Sequence, residues 1–324
     1  MTLLPRDRAA ALVAPLVVLL ATGLMALSQA APSEGAPALA VGTTSSTTAE
    51  HRRVTAWAPA GTATIHPGVQ LYTRGAQCTA SFVLTDARGG VYLGYAAHCA
   101  AGGESTDLDG CRTGGFARGT RVRVATGGSV VDGGTTLARG RLAWSSWRAM
   151  QRAGTTGPAC TGNDLALVRL PRRVHDLVNP SVPVWGGPTG LGDGLAAGET
   201  VLGYGASSLR AGENVLSPRA GTVLPADESA RGWTHEVLTL TPGVPGDSGS
   251  GLLDARGRAV GTLSTLTLLP VPGSNGVSDL RRALDFARRH GAPRGLRVAV
   301  GTEPFTGPST GLSTGLTTGR ARTS

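Results

Sequence analysis

The sequence of 324 residues contains no lysine, and all 30 of its basic residues are arginine. This absence excludes sites that depend on a lysine side chain, namely a P-loop, a Schiff base and a Ser-Lys dyad. Aromatic residues are also scarce, at 4% of the chain. The formal net charge is +9, but the arginines are scattered and no aromatics are interleaved with them. We therefore expect no nucleic-acid partner.

Charged residues are few as well, at 16%, whereas the 49 glycines and 20 prolines make up about a fifth of the chain. This composition argues against helical bundles and coiled coils, which need long runs of helix-forming residues. The 40% of apolar residues is too high for a wholly disordered chain. Short apolar runs separated by Gly, Pro and Asp favour an all-β sandwich or barrel. These runs lie at 69–72, 80–84, 91–93, 121–124, 165–168, 201–204, 235–240 and 259–263.

One helix is predicted near the end of the chain. Ser278 is a candidate cap, Leu280, Leu284 and Ala287 follow at helical spacing, and Gly291 with the proline after it ends the segment. Residues 294–324 include repeats of Thr-Gly-Leu with little apolar bulk, so we expect a low-complexity, disordered tail.

The N-terminus is typical of an exported protein. Arg6 and Arg8 precede an apolar stretch at 9–27, and Ser28-Gln29-Ala30 offers a cleavage site, so residues 1–30 are predicted to be a signal peptide. The alternative is an uncleaved membrane anchor. Residues 31–60, rich in Ala, Ser, Thr and Pro, are interpreted as a propeptide or linker. We expect a secreted, extracellular protein without stable membrane insertion after cleavage.

The four cysteines, Cys78, Cys99, Cys111 and Cys160, indicate disulfides in an exported chain. They show no Cys-x-x-Cys spacing, so we expect no metal site, and we expect no cofactor. The residues alone leave all three pairings open.

Gly246-Asp247-Ser248-Gly249 is the first motif that indicates chemistry. A serine in a tight turn between glycines presents its hydroxyl outward, and the N–H groups of Gly246 and Ser248 can converge as an oxyanion hole. A plain turn would have the same composition.

Two further motifs supply partners for this serine. His98 follows two alanines and precedes Cys99, which can fix its turn, and a fixed neutral imidazole can take a proton from serine. Asp164 precedes the apolar run Leu165-Ala166-Leu167, where it can accept the imidazole N–H. The order His98, Asp164, Ser248 is far more specific than any one motif.

These three motifs resemble the signature blocks of chymotrypsin-type serine peptidases of the secreted bacterial type, and the chain order agrees. The resemblance extends from about Ile65 to His290. It implies two antiparallel β-barrels, at 61–180 and 181–293 with the helix, and a catalytic triad in the cleft between them. It also implies hydrolysis of peptide bonds through an acyl-enzyme at Ser248. The alternative is a catalytically inactive, peptidase-like module for binding or for association with the cell wall. We expect a monomer that acts on protein or peptide substrates and is associated with the cell wall through its tail.

The resemblance implies further roles. It pairs Cys78 with Cys99, which leaves Cys111 to Cys160. It places Pro242, Ser264 and Leu266 at the substrate pocket, and because Pro242 carries no carboxylate we expect a shallow apolar pocket that is not trypsin-like.

The partner of Asp247 remains open in the sequence. In the family's zymogens a new terminal ammonium pairs with this aspartate, but the usual Ile-Val-Gly-Gly motif is absent here. Either cleavage after Arg53 releases Val54 as the new terminus, or an arginine pairs with Asp247 without cleavage. The competing maturation site is Ala30/Ala31.

Overall fold

The computed structural model describes residues 56–101, 109–210, 214–267 and 271–307. The predicted signal peptide, residues 31–55, both candidate maturation sites and residues 308–324 lie outside these ranges. None of the helices in the described ranges is long and apolar enough to cross a membrane.

The first sheet has eight strands in the order β15-β3-β4-β7-β6-β5-β1-β2, and all of its neighbouring strands are antiparallel. Its strands are Gln70–Thr73 (β1), Ala76–Thr79 (β2), Val83–Thr85 (β3), Val91–Tyr95 (β4), Arg121–Thr126 (β5), Thr135–Ser145 (β6), Ala166–Arg169 (β7) and, from the end of the chain, Arg297–Val298 (β15).

The segment between β2 and β3 closes this sheet into a barrel. The Ala80 N–H donates to the Val69 carbonyl at 2.9 Å, and the Ser81 N–H donates to the Gly94 carbonyl at 2.8 Å. One extended segment therefore pairs with β1 on one side and with β4 on the other.

The second sheet has seven strands in the order β12-β9-β10-β11-β14-β13-β8, and an added β12–β13 pairing closes six of them into a barrel. Its strands are Gly190–Leu191 (β8), Thr200–Tyr204 (β9), Pro218–Val223 (β10), Thr234–Thr239 (β11), Gly251–Asp254 (β12), Arg258–Leu266 (β13) and Asn275–Asp279 (β14). All pairings are antiparallel except the short β8–β13 contact. The predicted all-β fold of two antiparallel barrels is confirmed.

The described residues contain three α-helices, at Ser146–Ala153 (α1), Ala159–Gly162 (α2) and Leu280–Arg289 (α3). The late helix α3 is confirmed, with Leu284 and Ala287 fully buried. Its cap is Asp279 rather than Ser278, since the Asp279 carboxylate accepts the Arg282 N–H at 2.8 Å. Ser278 lies one residue too early, in β14, and its hydroxyl accepts the Asp164 N–H at 3.2 Å.

Two boundaries predicted from the sequence need correction. Ala58, assigned to the linker, is buried, and its N–H donates to the Val178 carbonyl at 2.9 Å. Residues 294–307, assigned to the tail, include β15, which pairs with β3 of the first barrel and buries Val298. The chain thus returns to the first barrel after α3. There β15 pairs with β3, whose edge would otherwise be unpaired on that side.

Candidate active site

His98 is held at the end of a buried strand. All five residues of β4 are buried, and the chain then passes through two alanines into the turn His98–Ala100. The Cys78–Cys99 disulfide ties this turn to β2, with a Cα–Cα separation of 6.4 Å. The backbone of His98 is therefore fixed on both sides.

Asp164 meets His98 because their strands are neighbours. β4 pairs with β7, with Tyr95 opposite Ala166, so the residues just beyond these ends lie together. The His98 Nδ1 lies 2.7 Å from one Asp164 oxygen, and the His98 backbone N–H donates to the other at 2.9 Å. Since a carboxylate only accepts, this contact assigns the ring proton to Nδ1 and leaves Nε2 as the free acceptor.

Both members of this pair have shifted pKa values. Burial lowers the pKa of His98, but the charge of Asp164 and its hydrogen bond outweigh burial and raise the pKa overall. Burial raises the pKa of Asp164, but the His98 charge, the bonds from His98 and the bond from Ser264 outweigh it and lower the pKa overall. The pair thus favours a charged carboxylate beside an imidazole that accepts protons readily.

The second barrel completes the surroundings of Asp164. The Ser264 hydroxyl in β13 donates to the same carboxylate oxygen as His98, at 2.6 Å, and the Asp164 N–H donates to the Ser278 hydroxyl at 3.2 Å. Ser264, which the resemblance assigns to the substrate pocket, has a buried side chain bonded to Asp164. No motif in the sequence marks Ser278 for this contact.

The turn that carries Ser248 rests against both barrels. Gly246 and Gly249 have φ values of +95° and +89°, a region that favours glycine. The Gly249 N–H donates to the Leu263 carbonyl at 2.7 Å, next to Ser264, and the Thr79 N–H donates to the Ser248 carbonyl at 2.8 Å. A side chain at Gly249 would press on the backbone N of Ala96 at 2.7 Å, two residues before His98. Ser248 therefore lies close to the His98 strand.

The Ser248 side chain itself is partly exposed. Among the described residues its hydroxyl forms no hydrogen bond, to His98 or to any other group. Catalysis requires these two side chains to come into contact, and in such sites that contact often tightens only when substrate is bound.

The N–H groups of Gly246 and Ser248 donate to no acceptor in the described part of the chain. The peptide groups beside them are fixed from behind. The Ser207 hydroxyl donates to the Pro245 carbonyl at 2.5 Å, and the Thr79 hydroxyl donates to the Gly246 carbonyl at 2.8 Å. Because the peptide group is planar and trans, fixing the Pro245 carbonyl orients the Gly246 N–H in the opposite direction. Nothing in the sequence indicates that Ser207 and Thr79 hold these two carbonyl groups.

Asp247 is fully buried and pairs with an arginine. Arg210 donates to the Asp247 carboxylate at 2.6 Å and to the Pro242 carbonyl at 2.9 Å, and a second buried arginine, Arg219, lies 3.6 Å from the same oxygen. The Ser207 N–H completes the site at 3.0 Å. The sequence left two candidate partners for Asp247, an arginine and a new chain terminus at Val54. Within the described residues, which do not include Val54, the partner is an arginine.

Pro242 and Leu266, predicted to form the pocket with Ser264, are both exposed. Asn275 joins the two segments that carry them. Its amide exchanges hydrogen bonds with Gly243, at 2.8 and 3.2 Å, and donates to the Thr265 carbonyl at 3.0 Å. One carboxylate not predicted from the sequence, Glu236, accepts the hydroxyl of Thr267 just beyond this edge, at 3.1 Å.

Both predicted disulfides are present, Cys78–Cys99 and Cys111–Cys160. Two groups of potential metal ligands in the described residues contain these cysteines, with His98 in one and Asp109 in the other. Sulfurs in a disulfide are not thiolates, the form of cysteine that binds metals, so neither group offers a metal site.

No family model matches this sequence, and no curated protein matches it. The structure is similar to those of bacterial chymotrypsin-like serine proteases, at low sequence identity. Protease A of Thermobifida fusca is 18% identical, with 73% of this chain and 99% of that chain covered and a TM-score of 0.44. The Nocardiopsis protease is also 18% identical, with coverages of 72% and 98% and a TM-score of 0.41. Cellulomonas bogoriensis chymotrypsin is 19% identical, with the same coverages and a TM-score of 0.41.

Proposed function

We propose that the protein is a serine endopeptidase that hydrolyses peptide bonds through His98, Asp164 and Ser248. The observation that carries the proposal is the buried His98–Asp164 pair, bonded at 2.7 Å and held from the second barrel by Ser264. A buried, charge-coupled imidazole with one free nitrogen is the feature that a serine nucleophile requires. The Ser248 turn lies against the same strand end.

In the proposed reaction the Ser248 oxygen attacks the carbonyl carbon of the scissile peptide bond. His98 Nε2 takes the hydroxyl proton and then donates it to the leaving amine, so that the C–N bond breaks and an ester forms on Ser248. A water molecule then attacks the ester, gives its proton to His98 and releases the acid, and Ser248 regains its proton. Asp164 stays ionised throughout and stabilises the imidazolium.

The Gly246 and Ser248 N–H groups would bind the oxygen that becomes negative in each tetrahedral intermediate. Such donors act strongly because they are oriented before the reaction begins, and the loss of one typically costs about 3–4 kcal/mol of transition-state stabilisation. The Arg210–Asp247 pair would hold the turn in the form in which the Gly246 and Ser248 N–H groups are free. No new terminal ammonium would be needed to pair with Asp247.

The proposal includes secretion and action outside the cell as a monomer. The two disulfides support it, since such bonds form and persist in oxidising compartments. Protein or peptide substrates would be the partners, and association with the cell wall through the tail remains part of the proposal.

A second candidate function is a peptidase-like module that binds peptides without cleaving them. It is favoured by one observation, the absence of a bond from the Ser248 hydroxyl within the described ranges. Incubation of an unfolded protein with the wild type and with Ser248→Ala distinguishes the two. We expect fragments from the wild type alone; intact substrate that nevertheless binds to both proteins would establish the binding module instead.

For specificity we propose a shallow apolar pocket at Pro242 and Leu266 that accepts small or medium aliphatic side chains. The absence of a carboxylate at position 242 supports this. Digestion of a peptide library should give cuts after aliphatic residues. A strong preference for Arg or Lys would refute the pocket and would direct attention to Glu236, with Glu236→Gln as the variant to test.

A further inference from the structure

Six arginines from three separate segments of the sequence surround one cleft on the first barrel. The cleft has a volume of about 610 Å³. Its charged lining consists of Arg121, Arg139, Arg141, Arg169, Arg172 and Arg173. None of the described residues that line it carries a carboxylate.

The register of the sheet brings three of these arginines into one row. Arg121 in β5 lies directly opposite Arg141 in β6, and Arg141 lies directly opposite Arg169 in β7. Side chains at directly opposed positions project from the same face, with about 5 Å between neighbouring strands. Like charges in such positions repel one another, so this row destabilises the folded protein unless a counterion is bound.

The protein itself neutralises this charge only in part. The ion pairs found in the described residues involve other arginines. The nearby Asp86 attracts Arg169 electrostatically but forms no ion pair with it, and its carboxylate is bonded to the Tyr92 hydroxyl at 2.7 Å and to the Gly90 N–H at 2.8 Å instead. Nowhere in the sequence do more than two acidic residues follow one another, so no acidic segment of this chain fits the cleft.

The chemistry of the lining favours phosphate over other anions. A guanidinium group offers a planar fork of donors that fits phosphate, and a phosphate group has enough oxygens to accept from several arginines at once. Among the described residues that line the cleft none is aromatic, so it lacks the stacking surfaces that single-stranded nucleic acids use. A linear anion is favoured because the arginines form a row across three strands.

We propose that this cleft binds the phosphate groups of a linear, non-nucleotide polyanion. The site is separate from His98 and Asp164. Arg169 follows Asp164 by five residues along an extended strand, which corresponds to roughly 17 Å. Binding there holds the protein on a phosphate-bearing polymer while the candidate active site stays open.

The test is the binding of fluorescently labelled sodium polyphosphate, measured by anisotropy at low salt. The variant is Arg141→Gln with Arg169→Gln, and the matched control is Arg152→Gln with Arg256→Gln, two exposed arginines outside the cleft. We expect the cleft variant to bind at least about tenfold more weakly, since each charge-assisted hydrogen bond contributes about that factor, and the control to bind like the wild type. The thermal midpoint of the cleft variant should be equal or higher.

Three results would overturn the proposal. Equal weakening in the cleft variant and the control would show that net charge alone attracts the polymer. Equal competition by poly-glutamate would show that the cleft does not select phosphate. Stronger competition by oligothymidylate than by polyphosphate of equal charge would assign the cleft to nucleic acid.

Discussion

The two barrels are stabilised in different ways. The first contains both disulfides and lies in the larger apolar cluster, with Leu71, Leu93 and Leu167 fully buried. The second has a separate apolar cluster of seven residues and, within the described ranges, no disulfide. Its interior instead holds the charged group of Asp247, Arg210 and Arg219.

This difference matches what each barrel contributes to the site. The first barrel supplies His98 and Asp164, whose geometry depends on a rigid backbone. The second supplies the Ser248 turn, whose shape depends on buried polar contacts. Because an unpaired buried charge is unstable, a single substitution should disturb this turn more readily than it disturbs the first barrel.

The largest expected effect is on chemistry in the first barrel. Asp164→Asn should lower kcat on the order of 10⁴-fold, because the amide stabilises the wrong imidazole tautomer and cannot balance the imidazolium. Steady-state kinetics with a peptide substrate measure this. Asp132→Asn and Asp176→Asn, both exposed, are the matched controls and should be fully active. Full activity of Asp164→Asn would show that another acid orients His98.

Arg210→Ala should have the next largest effect, on the second barrel. It leaves the Asp247 carboxylate, bonded to Arg210 at 2.6 Å, without its nearest cation, which typically costs about 3–5 kcal/mol. We expect lower kcat together with a lower free energy of unfolding, measured with urea, and no change for Arg152→Ala. Wild-type kcat in Arg210→Ala would mean that the turn does not depend on this pair.

Removal of the Cys111–Cys160 disulfide should affect stability and leave the chemistry intact. Its 49-residue separation predicts a loss of about 4 kcal/mol in the free energy of unfolding for the double serine variant, by the chain-entropy model. The kcat of the folded fraction should stay close to that of the wild type. A large fall in kcat at low temperature, where the variant is folded, would contradict the separation of roles between the barrels.

The smallest effect should come from Ser264→Ala. Loss of the hydrogen bond to Asp164 should lower kcat by about tenfold, with KM unchanged, because the carboxylate is then held less firmly in the position that orients the His98 ring. In the wild type, kcat/KM should fall on acidification with a midpoint above the ordinary histidine pKa of 6.5, because Asp164 raises the pKa of His98 and protonated imidazole cannot accept a proton.

The midpoint should move higher still in Ser264→Ala, because the carboxylate then attracts the imidazolium more strongly. Ser264→Thr should restore kcat. Ser274→Ala, which removes a hydroxyl bonded to Glu236 at 2.9 Å, is the control and should leave the midpoint in place. An unmoved midpoint in Ser264→Ala would assign Ser264 a purely structural role.

Strand periodicity and turn residues are local signals, and they predict an all-β sandwich or barrel and the late helix. The division into two barrels was implied by the resemblance to a known family. The same resemblance implied both disulfides, and the structure confirms them. The cap of α3 was wrong by one residue, since both Ser278 and Asp279 suit a cap and only the backbone of β14 decides between them.

Contacts across the fold could not be predicted in this way. The bond from Ser264 to Asp164 spans 100 residues and depends on how the barrels meet. The arginine that pairs with Asp247 could not be chosen among 30, because nothing local distinguishes Arg210. The arginine row of the first barrel likewise exists only once the strand register is known.

The central claim is that Ser248 is an activated nucleophile, and covalent labelling with a fluorophosphonate probe tests it most directly. Mass spectrometry of the digested protein should show one adduct, on the peptide that contains Ser248, and no adduct in Ser248→Ala. A folded wild-type protein that remains unlabelled, or that carries the adduct on another serine, would contradict the account.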